Sequence, residues 1–474
     1  MNEPQARGEL RLRDSFLVMA AEGLALPAGL VTVAVMTREL GAAGYGQFAL
    51  AASVIASVQM SIMAVYSRTT VKLVAESDDW RQMAGPIVRF HLFTGIVSTL
   101  VLFACAPLVA LVLRSGELTA NLRLFSLDLL FFVCGHGVRS ALIGGGRFQR
   151  RAGATAARWL ARVVLIVVLV KSGFGIPGAI WGSIGAAFTE LVVNAWRCGI
   201  PLRGGSALRY GVFLQRAAPL AAAAIPFRIF DSMDLLMLKG LGGTDAQAGV
   251  YAMAQNAMRI GGVLTVSLWP MLLSAVTNAI RAGRIGDAHR ATQDAMLLVL
   301  GGLLTSSAIG GASDEIAAFI YGPEHRAAGT LIAILLPMSF AGVWTSLMVA
   351  ALQGVERHRP AIVIGSAMCV CAALVYWVVI PRFGLLGAAV AALSISMAGS
   401  AAGAVLLHWE TGASPPKLAL GVSGAGYVLL TMLGRWWPVS TSWMPVKVAG
   451  LGLLAVSLLL LIPGVRARLK WKTV

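Results

Sequence analysis

The sequence predicts an all-α polytopic membrane protein. Hydrophobic residues make up 58% of the 474 positions, charged residues make up only 12%, and the mean hydropathy is +0.79. Long apolar runs recur from one end of the chain to the other, and no polar stretch between them is wide enough for a soluble domain. A water-soluble protein of this length needs a more polar surface, so these observations favour membrane-spanning helices of about 20 residues each.

We interpret about 14 apolar runs, joined by short connections, as transmembrane helices whose ends are placed to within about 2–4 residues. The leader from Met1 to Asp14 is polar and Glu22 interrupts the first run, so we expect a cytoplasmic tail and a retained first helix instead of a cleaved signal peptide. The runs lie near 15–37, 46–66, 85–113, 121–143, 155–171, 176–197, 212–238, 249–272, 291–312, 328–353, 361–380, 385–408, 417–434 and 446–464.

The net charge of +17 would suit a nucleic-acid partner, but the basic residues are distributed as in a membrane protein. With both termini inside, 24 of the 38 Lys and Arg residues fall in cytoplasmic segments, Arg151 and Arg158 among them, and eight fall in the opposite loops, Arg435 and Lys447 among them. This asymmetry is the positive-inside pattern, which sets the orientation. Asp314, Glu315 and Glu324 fall on the outer side, in agreement. We therefore expect both termini to be cytoplasmic and no nucleic-acid partner.

No soluble catalytic machinery is visible in the sequence. The five cysteines show neither metal-ligand spacing nor a disulfide framework, and no Gly-x-x-x-x-Gly-Lys-Ser/Thr phosphate loop is present. The longest outer connection, near 311–327, is shorter than the catalytic loops of membrane enzymes that build glycans. We therefore expect no catalytic residues, no metal site and no cofactor, and a protein that is not an enzyme.

The chain contains an internal repeat. Four groups of matches, in the same order and at nearly one offset, predict two parallel six-helix lobes, 1–205 and 206–412, followed by two extra C-terminal helices and a basic cytoplasmic tail in 413–474. The matches are Leu40-Gly41 and Gly46 with Leu241-Gly242 and Gly249 at offsets of 201 and 203, Asp78 and Arg81 with Asp287 and Arg290 at 209, Gly144 and Arg147 with Gly354 and Arg357 at 210, and Phe174-Gly175 with Phe383-Gly384 at 209.

Charges inside the spans are the best indication of function, because each costs roughly 2.5–3.5 kcal/mol on insertion scales. In the seventh helix Arg228, Asp231 and Asp234 are three positions apart and share one face, and the eighth helix carries Arg259 at a similar depth. We predict a polar patch in which Arg228 and Asp231 pair and in which Asp231 or Asp234 takes a proton or cation. A purely structural ion pair between helices is the alternative interpretation.

A second set of charges lies in the N-lobe. Guanidinium groups match phosphate oxygens and attract anions in a cleft of low dielectric constant, so we predict a cationic vestibule that takes an anionic head group from the inner leaflet. Snorkelling of the Arg side chains from near the membrane surface is the alternative. The set consists of Glu22, Arg89, Arg139, Arg162 and Glu190, with His91 and His136 nearby.

Three stretches resemble bacterial polysaccharide flippases, which belong to the multidrug/oligosaccharidyl-lipid/polysaccharide exporter superfamily. Residues 37–51 resemble the first outer turn and second helix of that family, 234–254 resemble the matching turn of its second lobe, and 351–354 resemble the end of its tenth helix. The resemblance covers nearly the whole chain. It implies a MATE-like fold with two lobes around a central, often cationic, cavity. It also places Asp234 where the family commonly has an acidic residue and Arg259 where a basic one is common.

The resemblance implies a monomeric transporter of the bacterial inner membrane. Such a transporter moves undecaprenyl-diphosphate-linked oligosaccharide repeat units from the cytoplasmic to the periplasmic leaflet by alternating access, for surface polysaccharide or exopolysaccharide biosynthesis. Coupling to a proton or sodium gradient is expected of its relatives, and membrane lipids and polysaccharide polymerase or assembly proteins are the expected partners. A peptidoglycan-precursor flippase, a multidrug antiporter of the same superfamily and, less favoured, a membrane glycan polymerase are the alternatives.

Overall fold

The computed structural model describes residues 17–196, 198–201, 210–355 and 359–462, so the polar leader and the basic C-terminal tail lie outside the described residues. Nearly all of the described residues are helical. In chain order the α-helices are α1 (Ala25–Ala75), α2 (Trp80–Val112), α3 (Leu118–Gly144), α4 (Phe148–Leu169), α5 (Gly175–Ala195), α6 (Tyr210–Gly240), α7 (Asp245–Ala257), α8 (Arg259–Arg281), α9 (Ile285–Gly311), α10 (Ser313–Tyr321), α11 (Ala328–Gly354), α12 (Arg359–Thr411), α13 (Lys417–Trp436) and α14 (Met444–Leu460).

Nine helical segments of the described ranges are long and apolar enough to cross a membrane. Three of them, Leu17–Ala75, Phe148–Ala195 and Arg359–Thr411, contain 59, 48 and 53 residues. A straight helix of 48 residues would be about 72 Å long, more than twice the thickness of the hydrocarbon layer, so each of the three contains more than one span. The predicted all-α polytopic fold is confirmed, and the number of 14 spans stays a prediction.

Glycines with positive φ interrupt these long segments. Gly41 has φ 67° within α1, Gly384 has φ 55° and ψ −133° within α12, and Gly175 has φ 59° and ψ −140° after a π-helix at Val170–Phe174. A Cβ atom makes this region of backbone conformation costly, so glycine is the residue that suits it. The repeat-related Gly175 and Gly384 therefore share one backbone conformation as well as one sequence context.

The π-helix explains why the repeat offset changes from 210 at Arg147 and Arg357 to 209 at Phe174 and Phe383. A π-helical turn holds one residue more than an α-helical turn. The first copy is π-helical at Val170–Phe174, whereas the second copy is α-helical at the corresponding place in α12. Each residue of α4 therefore corresponds to the residue 210 positions later, and each residue of α5 to the residue 209 positions later.

The chain divides into two compact units, residues 1–249 and 250–474. In the first unit α4 and α5 form an antiparallel hairpin, in which Arg158 pairs with Glu190 near one end and Gly182 lies against Ile166 further along. The hairpin packs against α1 and α3. The predicted lobes 1–205, 206–412 and 413–474 describe the internal repeat, and their boundaries stay a prediction.

In the second unit α9 packs against α8, α11, α13 and α14. Its apolar core is closed at one end by two polar contacts. Arg435 of α13 donates to Asp314 at 3.0 Å, and Lys447 of α14 donates to Glu315 at 2.9 Å. All four residues were assigned to outer loops by their sequence positions, and the structure places them together at the same end of this unit.

Candidate functional site

Polar side chains from four helices meet inside the first unit. Gln59 of α1 donates to the Asp128 carboxylate of α3. Glu190 of α5 accepts from Arg139 of α3 at 3.5 Å and from Arg158 of α4 at 3.0 Å. Gln59, Asp128 and Glu190 are only 7%, 4% and 4% exposed. Charges at such depth are costly unless they are paired, and here one carboxylate serves two guanidinium groups.

Helical spacing places these side chains on facing surfaces. Residues that are 3, 4, 7, 8 or 11 positions apart lie on about the same face of a helix. We call the residues on these faces the buried polar cluster: Gln59 of α1, Asp128, His136 and Arg139 of α3, Arg151, Thr155, Arg158 and Arg162 of α4, and Glu190 and Asn194 of α5.

A histidine and an aromatic ring complete the surroundings of the two arginines. Arg139 Nη2 lies 3.0 Å from His136 Nδ1, and because a guanidinium only donates, His136 accepts at Nδ1 and carries its proton on Nε2. The guanidinium of Arg158 lies over the Phe132 ring, 4.9 Å from its centre. Both arginines are thereby held in place by a neutral neighbour in addition to Glu190.

The cluster carries an excess of positive charge. Glu22, which precedes α1, accepts from Arg151 at 2.9 Å, so that Glu22 and the polar cluster form one group. Arg158 and Arg162 interact electrostatically with Asp128. When all of these groups are ionised, four guanidinium groups face three carboxylates, which leaves the group one positive charge in excess. A site of this sign favours an anion over a cation.

The structure joins some of the predicted vestibule residues and leaves others apart. Arg139 and Glu190 are in direct contact, and Glu22 joins them through Arg151. Arg162 lies near the ring of Trp159, 6.0 Å from its centre, and belongs to the cluster through Asp128. Arg89 lies on α2 with an exposed side chain.

His91 lies close to the cluster, and its ring centre is 6.3 Å from that of His136. The Nδ1 atom of His91 contacts the Ile87 carbonyl at 2.9 Å and therefore donates to it. The two histidines that were expected near the vestibule are thus neighbours in the first unit.

Three central residues of the cluster, Gln59, Asp128 and Arg158, were not among the predicted site residues. Arg158 follows a run of basic residues and was therefore assigned to a cytoplasmic segment, whereas the structure buries it against Glu190. The sequence feature that identifies Arg158 as a site residue is its spacing from Arg151 and Arg162, which places all three on one helix face. Asp128 is a single acid inside an apolar run, and the same reasoning that selected Glu190 applies to it.

The second predicted set lies partly at the surface of its helix. The expected ion pair between Arg228 and Asp231 forms at 3.1 Å, with side chains that are 47% and 56% exposed. Asp234 is fully buried, and its carboxylate accepts from the Leu235 N–H at 2.8 Å. Arg259 begins α8 with an exposed side chain. Because hydrocarbon solvates an ionised pair poorly, this face of α6 suits a water-accessible surface better than lipid.

The repeated motifs themselves are in contact in the first unit. Gly46 of α1 and Gly249 of α7 lie back to back, so that a Cβ on Gly46 would overlap the Asp245 carbonyl. Beside them Gln47 donates to Asp245 at 3.1 Å, and Lys239 pairs with the same carboxylate at 2.6 Å. Small residues allow this approach of two helices, and the polar groups around it make the contact specific.

A cavity of about 570 Å³ lies in the second unit between α9, α11, α12 and α13. Its walls are almost wholly apolar, with Phe340, Trp344 and Met397 among them, and Arg435 lies at its edge. A space with these walls suits a hydrocarbon chain better than a sugar or a phosphate.

Comparison with known proteins identifies the family and the fold. The family model described as polysaccharide biosynthesis protein matches residues 11–276, more than half of the chain. A search of curated proteins by sequence found no match.

Several solved structures share the fold. The lipid II flippase MurJ, in an inward closed conformation, aligns with a TM-score of 0.71 and 13% identity over 96% of this chain and 99% of that chain. An inward-facing multidrug resistance MATE family transporter of the MOP superfamily aligns with a TM-score of 0.68 and 16% identity, covering 84% of this chain and 95% of that chain. A MOP superfamily transporter from Pyrococcus furiosus aligns with a TM-score of 0.62 and 16% identity, covering 85% and 95%. The expected MATE-like fold is therefore confirmed.

Proposed function

Since the chain belongs to the polysaccharide biosynthesis protein family, we propose that it is a transporter of undecaprenyl-diphosphate-linked oligosaccharide repeat units. It moves them from the cytoplasmic to the periplasmic leaflet of the bacterial inner membrane, for surface polysaccharide or exopolysaccharide biosynthesis. The observation that supports this proposal most is the guanidinium-rich cluster buried inside the first unit of a MATE-like fold.

The cluster suits the head group of such a substrate. A diphosphate offers several anionic oxygens, and guanidinium groups donate to such oxygens in pairs. The excess positive charge of the cluster attracts the diphosphate, and the low dielectric constant around buried groups strengthens that attraction. In this proposal Arg139, Arg158 and Arg162 recognise the diphosphate, which every lipid-linked repeat unit carries whatever its sugar sequence.

Transport then follows from alternating access, with a proton or sodium ion at Asp231 or Asp234 resetting the cycle. Asp231 is paired with Arg228, and Asp234 is buried, so a cation that binds either carboxylate changes the charge balance of α6. We further propose a monomer that uses no cofactor and catalyses no reaction, with both termini cytoplasmic. Its partners are the lipid-linked substrate, membrane lipids and proteins of polysaccharide polymerisation or assembly.

The test is a deletion strain in which lipid-linked intermediates are assayed in each leaflet and surface polysaccharide is measured. We expect single repeat units to accumulate on the cytoplasmic side and export to return with the wild-type gene. Arg158→Gln should restore export poorly, whereas Arg382→Gln, which changes an exposed arginine of α12, should restore it fully. Normal polysaccharide together with normal intermediates in the deletion strain would contradict the proposal.

A peptidoglycan-precursor flippase is the second candidate, and the alignment with MurJ over 96% of this chain favours it. Both candidates carry a lipid diphosphate, so the buried cluster fits either one. Viability separates them, because loss of the only precursor flippase is lethal, whereas loss of a polysaccharide flippase leaves a viable strain without the surface polymer.

A multidrug antiporter of cations fits less well, since the cluster repels cationic cargo. A polymerase would differ in product analysis, because its loss still allows single units to be exported.

A further inference from the structure

The buried ion pair of the first copy is replaced by an apolar contact in the second copy. At offsets of 210 for α4 and 209 for α5, Arg158 corresponds to Met368 and Glu190 corresponds to Gly399. In the second unit Met368 lies directly against Gly399, so that a Cβ on the glycine would overlap the methionine side chain. The two contacts therefore lie at the same place in the two copies, and only the chemistry differs.

The surrounding residues follow the same rule. In the second copy each polar residue of the cluster on α4 and α5, and Arg139 on α3, corresponds to a small or apolar residue. The pairs are Arg139 with Val349, Arg151 with Ala361, Thr155 with Gly365, Arg162 with Ala372 and Asn194 with Gly403.

The apolar contact in the second copy separates packing from function. A buried ion pair pays a desolvation penalty that its attraction offsets only in part, and apolar residues often stabilise the same position as well or better. The second copy shows that this hairpin packs without charges. A hairpin of this kind therefore does not require polar residues at these positions, and a bound ligand would account for their presence in the first copy.

The site also contains polar groups that no side chain or backbone group satisfies. Thr155 is 3% exposed and Asn194 is fully buried, and antiparallel register places them opposite each other, one turn from the pair of Arg158 with Glu190. Within the described part of the chain, the hydroxyl of Thr155, both amide atoms of Asn194 and the Nε of Arg158 have no hydrogen-bond partner. A buried polar group without a hydrogen-bond partner is unfavourable, so a polar guest that bonds to these groups would be stabilised at this place.

The chemistry of these groups identifies the guest. Thr155 and Arg158 donate an O–H and an N–H, and Asn194 adds an amide NH₂, so donors outnumber acceptors. With positive charge in excess, the arrangement fits the oxygens of a phosphate. We propose that Thr155, Arg158 and Asn194 form a phosphate subsite, and that Glu190 is its internal competitor. The carboxylate of Glu190 occupies Arg139 and Arg158 when the subsite is empty, and a phosphate displaces it.

This competition gives the substrate a way to leave. A phosphate bound to unopposed arginines in a low-dielectric site would be held tightly. When Glu190 returns to Arg139 and Arg158, it replaces the departing phosphate and lowers the cost of release. The identity of the guest as a lipid-linked diphosphate rests on the proposed function, whereas the phosphate subsite itself rests on the contacts described above.

The experiment measures binding of inorganic pyrophosphate to the purified full-length protein in detergent. Trp159 reports on the site, because its ring centre lies 5.5 Å from the guanidinium of Arg158. The chain has 12 tryptophans, so the signal is the fluorescence difference between the protein and its Trp159→Phe variant. We expect Thr155→Val and Asn194→Leu each to weaken binding by about tenfold, which is the loss of one hydrogen bond to a charged group.

Glu190→Gln should instead tighten pyrophosphate binding by about tenfold or more, because the competitor no longer carries charge. Two variants in the second unit are matched controls: Asn256→Leu changes another buried asparagine, and Glu315→Gln changes another buried carboxylate with a cationic partner. Both controls should bind as the wild type does. Thermal unfolding of every variant establishes that the folded protein is being measured. Should Glu190→Gln not fold, Glu190→Asp replaces it and should also tighten binding, because the shorter carboxylate reaches Arg139 and Arg158 less well and competes less with the phosphate.

Unchanged affinity in Thr155→Val and Asn194→Leu, or weaker binding in Glu190→Gln, would overturn the proposal. Competition by undecaprenyl diphosphate, but not by undecaprenol, is the result expected of a lipid-linked guest. Competition by free phosphate alone would overturn that identification. Normal polysaccharide export by variants that no longer bind pyrophosphate would show that the subsite does not hold the transported substrate, and would leave the proposed function standing. If the protein binds pyrophosphate but its deletion leaves the lipid-linked intermediates unchanged, the proposed function is refuted and the phosphate subsite is retained.

Discussion

At the residue scale, the buried carboxylate of Glu315 lies on α10, which is not among the membrane-spanning segments, and its contribution to stability is open to direct measurement. Glu315 of α10 accepts from Lys447 at 2.9 Å and from the Val439 N–H at 3.2 Å. Burial raises the pKa of Glu315, but the hydrogen bonds from Lys447 and the backbone lower it by more, so that the pKa lies below its ordinary value. The ionised form is therefore the one that stabilises this end of the second unit.

We expect the protein to become less stable as the pH falls and Glu315 becomes protonated. A carboxyl group whose pKa is lowered in the folded protein stabilises it above the pKa of the unfolded chain, near 4.5, and loses that contribution as the pH falls through the folded value. Thermal unfolding in detergent between pH 7 and pH 3 measures the slope. Glu315→Gln should be less stable at pH 7 and should flatten the slope, and Glu39→Gln, at an exposed site, should leave both unchanged. An identical slope in Glu315→Gln would contradict this expectation.

The acidic residues of α6 allow a second test at this scale. If Asp234 or Asp231 binds the coupling ion, then the variant of that residue, Asp234→Asn or Asp231→Asn, should slow gradient-driven transport in proteoliposomes by at least about tenfold, because the amide carries no charge to attract the ion. Pyrophosphate binding in the first unit should be retained, because the polar cluster is unchanged. Transport at the wild-type rate in both variants, with a proton or a sodium gradient imposed, would remove α6 from the coupling step.

At the element scale, the corners of the long helical segments depend on single glycines. Gly175 and Gly384 adopt the same backbone conformation, and a Cβ on either would meet no atom within 4 Å. The requirement for glycine therefore comes from the backbone and not from neighbouring side chains. The two corners allow successive spans to follow each other with almost no connecting loop.

Substitution of a corner glycine should destabilise the protein through backbone strain alone. We expect Gly384→Ala and Gly175→Ala each to cost about 1–3 kcal/mol. Gly450→Ala is the control, because Gly450 lies within α14 with ordinary helical geometry and open space around it, and alanine should be neutral or stabilising there. Thermal unfolding compares the three variants. Equal stability of Gly384→Ala and Gly450→Ala would show that the corner relaxes without strain.

The close approach of α1 and α7 should tolerate no side chain at all. A Cβ at Gly46 would overlap the Asp245 carbonyl, and a backbone group cannot move aside as a flexible side chain can. We expect Gly46→Ala to cost about 1–3 kcal/mol, as other overpacked positions do. Gly116→Ala, at a position with nothing within 4 Å, should have little effect on thermal unfolding. If Gly46→Ala unfolds at the temperature of the wild type, the two helices separate more easily than their contact implies.

At the scale of the whole molecule, the orientation in the membrane rests on the distribution of charge along the chain. Arg435, Lys447, Asp314 and Glu315 meet at one end of the second unit, which agrees with their assignment to one side of the membrane. The positive-inside pattern predicts that this side faces the exterior and that the termini lie in the cytoplasm.

Reporter fusions test this orientation. We expect alkaline phosphatase fused after Ser440, between α13 and α14, to be active, because this connection is assigned to the periplasm. A green fluorescent protein fused after Val474 should fluoresce, because that protein matures in the cytoplasm. Inactive alkaline phosphatase after Ser440 together with a non-fluorescent fusion after Val474 would reverse the predicted orientation. Inactive alkaline phosphatase after Ser440 together with a fluorescent fusion after Val474 would place both positions in the cytoplasm and change the number of spans between them.

The sequence by itself determined the fold class, because a backbone within lipid must satisfy its own hydrogen bonds and continuous apolar runs of about 20 residues do so as helices. The sequence also revealed the repeat through matching residues. Gly175 and Gly384 match because both copies need a backbone conformation at this place that favours glycine. The ion pair of Arg228 with Asp231 was predictable as well, because both residues lie on one helix. Local rules of spacing and conformation were sufficient for each of these features.

Only the tertiary structure decided which charges meet. Glu190 pairs with Arg139 and Arg158 across three helices, and no spacing along one helix specifies such partners. Asp128 and Gln59, which lie 69 positions apart, depend in the same way on how α1 packs against α3. The physical reason is that a buried charge is stabilised by whichever partner the packing brings within hydrogen-bond distance. The sequence shows that a partner is needed, and the packing of the helices determines which residue it is.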